Sequence, residues 1–195
     1  MTWRKAQLSS ATAARRLREL VIAGGYRIGT GFVGTPIISQ ALSSTGSLDV
    51  AYRQLQERGC PSWLYPIDQG ATTIWERWDS QLEDSTVNPG QMTSFNHYAL
   101  GAVAHWMHTT IAGITPLAPG YRKIAFTPQP GGGLTWAKAS HDSPHGRIAI
   151  EWSIKSGVLT VQTTTPVNTT AALPMPSGMS FALSPGVSVH SESFA

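Results

Sequence analysis

Apolar positions in the first 113 residues recur at helical spacing. Leu17, Leu20 and Val21 share one face of a segment that Ser9 or Ser10 can cap and that Gly24-Gly25 closes. Thr35-Pro36 reads as a cap followed by a first-turn proline, opening a short apolar helix with Ile37, Ile38, Ala41 and Leu42. Ser47 caps a third helix, with Leu48, Ala51, Tyr52 and Leu55 as its stripe and Gly59 as its stop. A long aromatic-rich connection follows. Thr93 or Ser94 then opens a fourth helix predicted over about 95–112, apolar at Leu100, Val103, Ala104, Met107 and Ile111.

The period changes after Thr115-Pro116 and Pro119-Gly120. Short alternating or β-branched runs predict strands over 123–127, 134–140, 147–154, 158–164 and 169–173. Pro130-Gly131-Gly132-Gly133 and Ser156-Gly157 supply turns between them. The expected architecture is α then β: a helical part over 1–114 and a small antiparallel β-sandwich over 118–195. Four helices with one long connection make a poor self-contained bundle and suggest part of a larger helical assembly.

Composition narrows the function classes. Charged residues are 13% of the 195, Gly (19) and Pro (13) are plentiful, and the formal charge is +3. That charge is small and scattered, and the one dense basic cluster, Arg15, Arg16 and Arg18, is followed at once by Glu19, which fits a solvated helix face. No nucleic-acid partner is expected. The single cysteine, Cys60, precludes an intrachain disulfide and has no metal-ligand spacing around it. No segment reads as a signal peptide or membrane span, so no membrane partner is expected and the compartment would be cytoplasmic if the N-terminus is genuine. An Asn-x-Thr sequon at Asn168 carries little meaning without an export signal.

The candidate chemistry lies in GATTIWERWD, Gly70 to Asp79, which sets Glu76 between Trp75 and Trp78 after small residues. Indole faces stack on the apolar face of a pyranose, and a carboxylate can take a proton from water or hold a hydroxyl. The competing reading is a glutamate on the polar side of a short helix with both indoles in the core. If residues 75–80 were helical, Glu76 and Asp79 would be neighbours with Cβ atoms about 5–6 Å apart. That is nearer the retaining than the inverting separation of a glycosidase pair, and side by side is not across a glycosidic bond. Trp63 and Trp75 are candidates to line a sugar pocket, Trp106 reads as core, and Trp136 and Trp152 as filling of the sandwich or of its contact with the helices. His97, His105 and His108 lie on one side of the fourth helix. At ~1.5 Å rise per residue the outer two are about 16 Å apart and cannot share an ion. His105 and His108 come without a third ligand, so neither a metal nor a cofactor is expected.

Five blocks carry a family resemblance. TGFVGTP (Thr30 to Pro36), PSWLYPIDQGATTIWERWD (Pro61 to Asp79), SFNHYALGAV (Ser94 to Val103), APGYRKIAFTPQPGGGLTWAKAS (Ala118 to Ser140) and SPHGRI (Ser143 to Ile148) occur in this order. Together they resemble the C-terminal part of bacterial and fungal α-L-rhamnosidases of glycoside hydrolase family seventy-eight. The resemblance implies the last helices of an (α/α)6 six-hairpin barrel followed by a β-sandwich. It implies terminal α-L-rhamnose on rhamnosides as substrate, hydrolysed with inversion. Glu76 would be the general base, and His97 a sugar-contacting residue, the other reading of His97 being a structural bond to a loop carbonyl. The family's general acid lies upstream in an acidic, arginine-containing motif that this sequence does not contain. The expectation is therefore an incomplete site in a chain that is inactive alone. A barrel cut open in this way should show a broken apolar face, including Ile37, Ile38, Leu48 and Leu55, that self-associates or pairs with the upstream half. The alternative is a non-catalytic carbohydrate-binding or scaffold protein that keeps Glu76 and the aromatics; a third reading is a glycosidase of this barrel type acting on another sugar.

Overall fold

The computed structural model describes residues 10–194 and divides into two compact units between Val103 and Ala104. The first is helical. Helix α1, Ser10–Ala23, ends where the sequence places its stop: Tyr26 N–H bonds to Val21 C=O (2.9 Å) and Gly25 N–H to Ile22 C=O (3.0 Å), with Gly25 at φ 65°. This is a Schellman closure, and it requires the left-handed backbone that glycine adopts without strain. Helix α2, Thr35–Ser44, closes in the same way through Gly46 (φ 79°) and Ser47 N–H to Leu42 C=O (2.9 Å). Its start differs from expectation. Gly34 is the cap residue and Thr35 lies inside the helix, its buried hydroxyl bonded to the Thr30 carbonyl and hydroxyl.

Helix α3, Leu48–Leu55, follows Ser47, whose hydroxyl makes no cap bond. Its buried residues are Val50, Ala51, Tyr52 and Gln54, so Leu48 and Leu55 sit half-buried at the margins of the predicted stripe. Arg18 of α1 grips Asp49 of α3 through two bonds of 2.8 and 2.9 Å. The apolar interior includes Ile38, Leu42, Val50, Ala51 and Tyr52. Ile38 therefore leaves the expected exposed face, whereas Ile37 (62% exposed) and Val33 (90%) remain on the surface.

A short helix α4, Leu64–Asp68, interrupts the aromatic connection. The segment from Ala71 to Ser80 is loop, so the helical juxtaposition of Glu76 and Asp79 does not occur. The predicted fourth helix starts late, as a 3-10 turn over Ala99–Ala102, one α turn (α5) over Val103–Trp106, and a π turn over Met107–Ala112 closed by Gly113 N–H to His108 C=O. Residues 94–97 are instead committed to backbone bonds with the Glu76 loop.

The second unit is a β-sandwich. One four-stranded sheet has the order β1 (Ile114–Pro116), β2 (Lys123–Phe126), β6 (Thr170–Pro174), β7 (Ser180–Leu183). The other has β3 (Trp136–Ser143), β4 (Gly146–Lys155), β5 (Val158–Thr165), β8 (Gly186–Ser193). The second sheet is antiparallel throughout, but β2 and β6 pair in parallel, so the region is mixed rather than wholly antiparallel. The Ser156-Gly157 turn has both residues at positive φ (50° and 74°), the type I′ geometry that a twisted two-residue hairpin needs. Phe126, Ile124, Leu173, Ile148, Ile150, Trp152, Leu159 and Val161 fill the core. Trp152 is fully buried and donates its indole N–H to Ile111 C=O (2.8 Å). Trp106 is also buried, but Trp136 is 59% exposed and does not fill the sandwich as expected.

Candidate active site

Two loop segments converge around Glu76. Glu76 N–H bonds to Ser94 C=O (2.8 Å), and His97 N–H bonds to Ile74 C=O (2.8 Å). The Thr73 hydroxyl closes the same ladder on Phe95 C=O. These backbone bonds hold the glutamate segment beside the histidine segment, although the two residues are 21 positions apart in sequence. Behind the ladder, Gly101 approaches Ile74 so closely that an added Cβ would stand 3.2 Å from its Cγ1.

Glu76 is half-buried, and one carboxylate oxygen accepts the Ser94 N–H at 3.2 Å. It lines a cavity of about 360 Å³ together with Thr30, Gly31, Phe32, Arg77, Trp78, Gln91, Met92 and Leu100. Among the described residues no other carboxylate borders this cavity. Arg77 gives Nε (2.6 Å) and Nη2 (3.1 Å) to the Asp79 carboxylate and Nη1 to Gln91 C=O (3.3 Å). Asp79 also accepts the Asn88 side-chain amide at 2.9 Å. The clamp ties the glutamate loop to residues 88–91 and commits Asp79 to structure.

His97 is half-buried and stacked on both sides, against Phe32 (5.0 Å between centroids, 16° between planes) and Tyr98 (5.0 Å, 15°). Its Nδ1 accepts the Ala99 N–H at 3.2 Å, which places the proton of the neutral ring on Nε2 and leaves that N–H as a donor. Phe32 thus joins His97 to the cavity wall. The two candidate indoles lie deeper. Trp63 is buried, donates to Leu100 C=O (2.9 Å) and meets Trp78 edge-on at 5.6 Å. Trp75 is buried edge-on against Phe95 at 5.1 Å. The indole that borders the cavity is Trp78.

Sequence reasoning gave no role to Phe32, Arg77, Gln91 or Met92. The Thr30 to Pro36 block was a signal for Phe32 and the Gly70 to Asp79 decapeptide for Arg77; Gln91 and Met92 depend on contacts distant in sequence. Among the described residues no three His, Cys, Asp or Glu side chains converge as a metal cage, and no helix is long and apolar enough to cross a membrane. Burial pushes the Cys60 thiol above its ordinary value, and the nearby Asp79 charge adds to the effect.

Comparison with known proteins supplies a context for this geometry. Residues 4–111 match the bacterial alpha-L-rhamnosidase 6 hairpin glycosidase domain, and residues 113–183 match the bacterial alpha-L-rhamnosidase C-terminal domain. An α-L-rhamnosidase of Streptomyces avermitilis is 47% identical over 164 residues, covering 84% of this chain and 16% of the relative. One from Formosa agariphila is 43% identical over 171 residues, covering 88% and 18%. Among solved structures, the native Aspergillus terreus α-L-rhamnosidase superposes with a TM-score of 0.90 at 38% identity, over 93% of this chain and 21% of that one. The Streptomyces avermitilis enzyme complexed with L-rhamnose gives 0.88 at 40% identity, over 94% and 20%. The chain therefore spans about a fifth or less of the length of these relatives.

Proposed function

This chain belongs to the bacterial α-L-rhamnosidase family, and on that premise we propose that it carries the general-base side of an inverting α-L-rhamnosidase site, with Glu76 as the base. The observation that carries the reading is the half-buried Glu76, held by the Ser94 N–H and the lone carboxylate on a cavity walled by Phe32, Trp78 and small residues. In an inverting hydrolysis the base draws a proton from water while an acid across the bond protonates the leaving oxygen, the two carboxyl groups standing ~6.5–9.5 Å apart. Glu76 accepts the water proton. His97 donates from Nε2 to a sugar hydroxyl. Trp78 and Phe32 offer ring surface to the sugar, and Trp63 braces Trp78 from the interior while Trp75 packs on Phe95.

The acid comes from the part of the relatives' length that this chain does not span. The chain alone then turns nothing over: with no proton donor a step worth ~10²–10⁴-fold is lost, and an incomplete pocket loses more. Supporting this, α1 and the Phe32 to Ile37 segment expose Leu20, Ile22, Val33 and Ile37, the apolar side chains that neighbouring barrel hairpins, or a second copy in their absence, would cover. The substrate is a terminal α-L-rhamnoside.

The test is a chimera in which this chain replaces the aligned stretch of the Streptomyces avermitilis relative. Proton NMR of the first product from p-nitrophenyl α-L-rhamnoside should show the β-anomer. Initial release of the α-anomer would refute inversion, and a folded chimera without activity would refute the assignment of the site. A chain that binds rhamnose without hydrolysis in the chimera would instead fit the non-catalytic carbohydrate-binding reading, which the lone cavity carboxylate also accommodates.

A further inference from the structure

The outward face of the four-stranded antiparallel sheet carries groups that neither the core nor the Glu76 cavity uses. Register sets Lys138 on β3 opposite Glu151 on β4, and Glu151 opposite Gln162 on β5. A cation, a carboxylate and a carboxamide thus stand in one row, about 4.8 Å apart from strand to strand. All three are exposed, and among the described residues none makes a side-chain hydrogen bond or ion pair. The next row in one direction holds Trp136, Ser153, Thr160 and Ser191, with Thr160 and Ser191 hydroxyls 3.0 Å apart. The next row in the other direction holds Ser140, Ala149 and Thr164, and Arg147 is tied to Ser140 through Nη2 at 2.8 Å. Lys138, Ser140, Arg147, Ala149, Glu151, Gln162 and Thr164 border a cavity of about 470 Å³ on this face.

We propose that this sheet face is a glycan-binding surface, with the exposed Trp136 ring as a stacking platform and the Lys138–Glu151–Gln162 row as its hydrogen-bonding rail. The chemistry fits a neutral pyranose chain. Vicinal hydroxyls both donate and accept, and the rail offers donors on Lys138, acceptors on Glu151 and both on Gln162. An exposed indole beside hydrogen-bonding side chains is the group that covers the C–H face of a pyranose ring, and Val189 and Val187, which end the two rows on β8, add exposed apolar surface to the same face. Lys138, Arg147 and Lys155 stand against Glu151 and Asp142 on this face, an excess of one positive charge, well short of the basic patch that a phosphate backbone requires. The proposal stands apart from the assignment of Glu76, because the two surfaces lie in different units.

Affinity electrophoresis of the whole chain through gels containing a galactomannan or hydroxyethylcellulose, both neutral and free of rhamnose, tests it. Retardation by at least one polysaccharide is expected. Its dissociation constant should rise about tenfold or more in Trp136→Ala and severalfold in Gln162→Ala, and stay unchanged in Glu76→Gln. Both substituted side chains are exposed, and circular dichroism should confirm unaltered folding. Lack of retardation by both polysaccharides overturns the proposal. So does retardation that Trp136→Ala leaves intact, or that Glu76→Gln abolishes, since binding then lies elsewhere. Salt-sensitive retention by single-stranded DNA without retardation by either polysaccharide overturns it as well.

Discussion

Replacing Asp79, which does not itself line the cavity, by alanine should loosen the loop that carries Glu76 and release Arg77 of the lining. The carboxylate accepts Arg77 Nε at 2.6 Å, Arg77 Nη2 at 3.1 Å and Asn88 Nδ2 at 2.9 Å. Hydrogen bonds to a charged group are worth ~1.5–3 kcal/mol when well shielded. Here the Arg77 and Asp79 side chains are 37% and 34% exposed, and solvent screening brings each bond down to about 0.5–1 kcal/mol. Because the three bonds share one carboxylate they add less than fully and together give about 1–3 kcal/mol, and Asp79→Asn, which keeps an acceptor but loses the charge, should cost about half of that. The local readout is hydrogen exchange at the Glu76 amide, bonded to Ser94 C=O, and at the Asn88 amide, bonded to Ser80 C=O. Both should exchange about 5–100-fold faster in Asp79→Ala, while sandwich amides such as that of Val161 keep their protection. Unchanged exchange at Glu76 and Asn88 would refute the clamp as the element that holds this loop.

Three further predictions rest on single contacts. Gly113 has φ 94°, and a Cβ added there would stand 2.3 Å from Pro128 N and 2.5 Å from Thr127 C, both backbone atoms. Gly113→Ala should therefore cost more than about 3 kcal/mol in a urea titration of the sandwich, and a loss below about 1 kcal/mol would contradict that geometry. His108 is held below the ordinary histidine value by burial, then by the neighbouring His141 and His105 charges. A depressed folded value favours the neutral ring, so its stabilising contribution is complete above about pH 6.5 and is lost as pH falls through the folded value. His108→Gln should flatten the stability loss between about pH 7 and pH 5, and an unchanged pH profile would count against it. The Cys60 thiol, raised by burial and by Asp79, should react with iodoacetamide at pH 8 several-fold more slowly than after unfolding in urea. Equal rates would contradict the burial.

Legibility followed the range of the forces involved. The Gly24-Gly25 stop, the Ser156-Gly157 hairpin and the alternating strand β3 were readable because a few neighbouring residues decide them. Strand β1 has three residues and ends in proline, and β7 has four, so neither shows a period. Strand β8 lies at a sheet edge with Val187 and Val189 exposed, so its alternation points the wrong way for a core signal. The parallel β2–β6 pairing joins residues 47 positions apart, such as Lys123 and Thr170, beyond any local pattern. The helix predicted from residue 95 failed because backbone pairing of residues 94–97 with the Glu76 loop outcompeted the Ser94 cap.

The site divides in the same way. Glu76 stood out from its own decapeptide, and His97 entered through the family resemblance. Which indole faces the cavity was settled by tertiary packing: Trp63 and Trp75 turn inward onto Leu100 and Phe95, and Trp78 borders the open space. The Arg77–Asp79–Asn88 clamp was invisible because Asn88 reaches the Arg77–Asp79 pair only when the loop folds back.

The most direct test of the central assignment is the rate of p-nitrophenol release from the α-L-rhamnoside by the Streptomyces avermitilis chimera and its Glu76→Gln variant. The amide keeps the shape and an acceptor for the Ser94 N–H but cannot take a proton from water. A fall in kcat of about 10²-fold or more with little change in KM is the predicted result. A variant within a fewfold of the parent would contradict Glu76 as the general base.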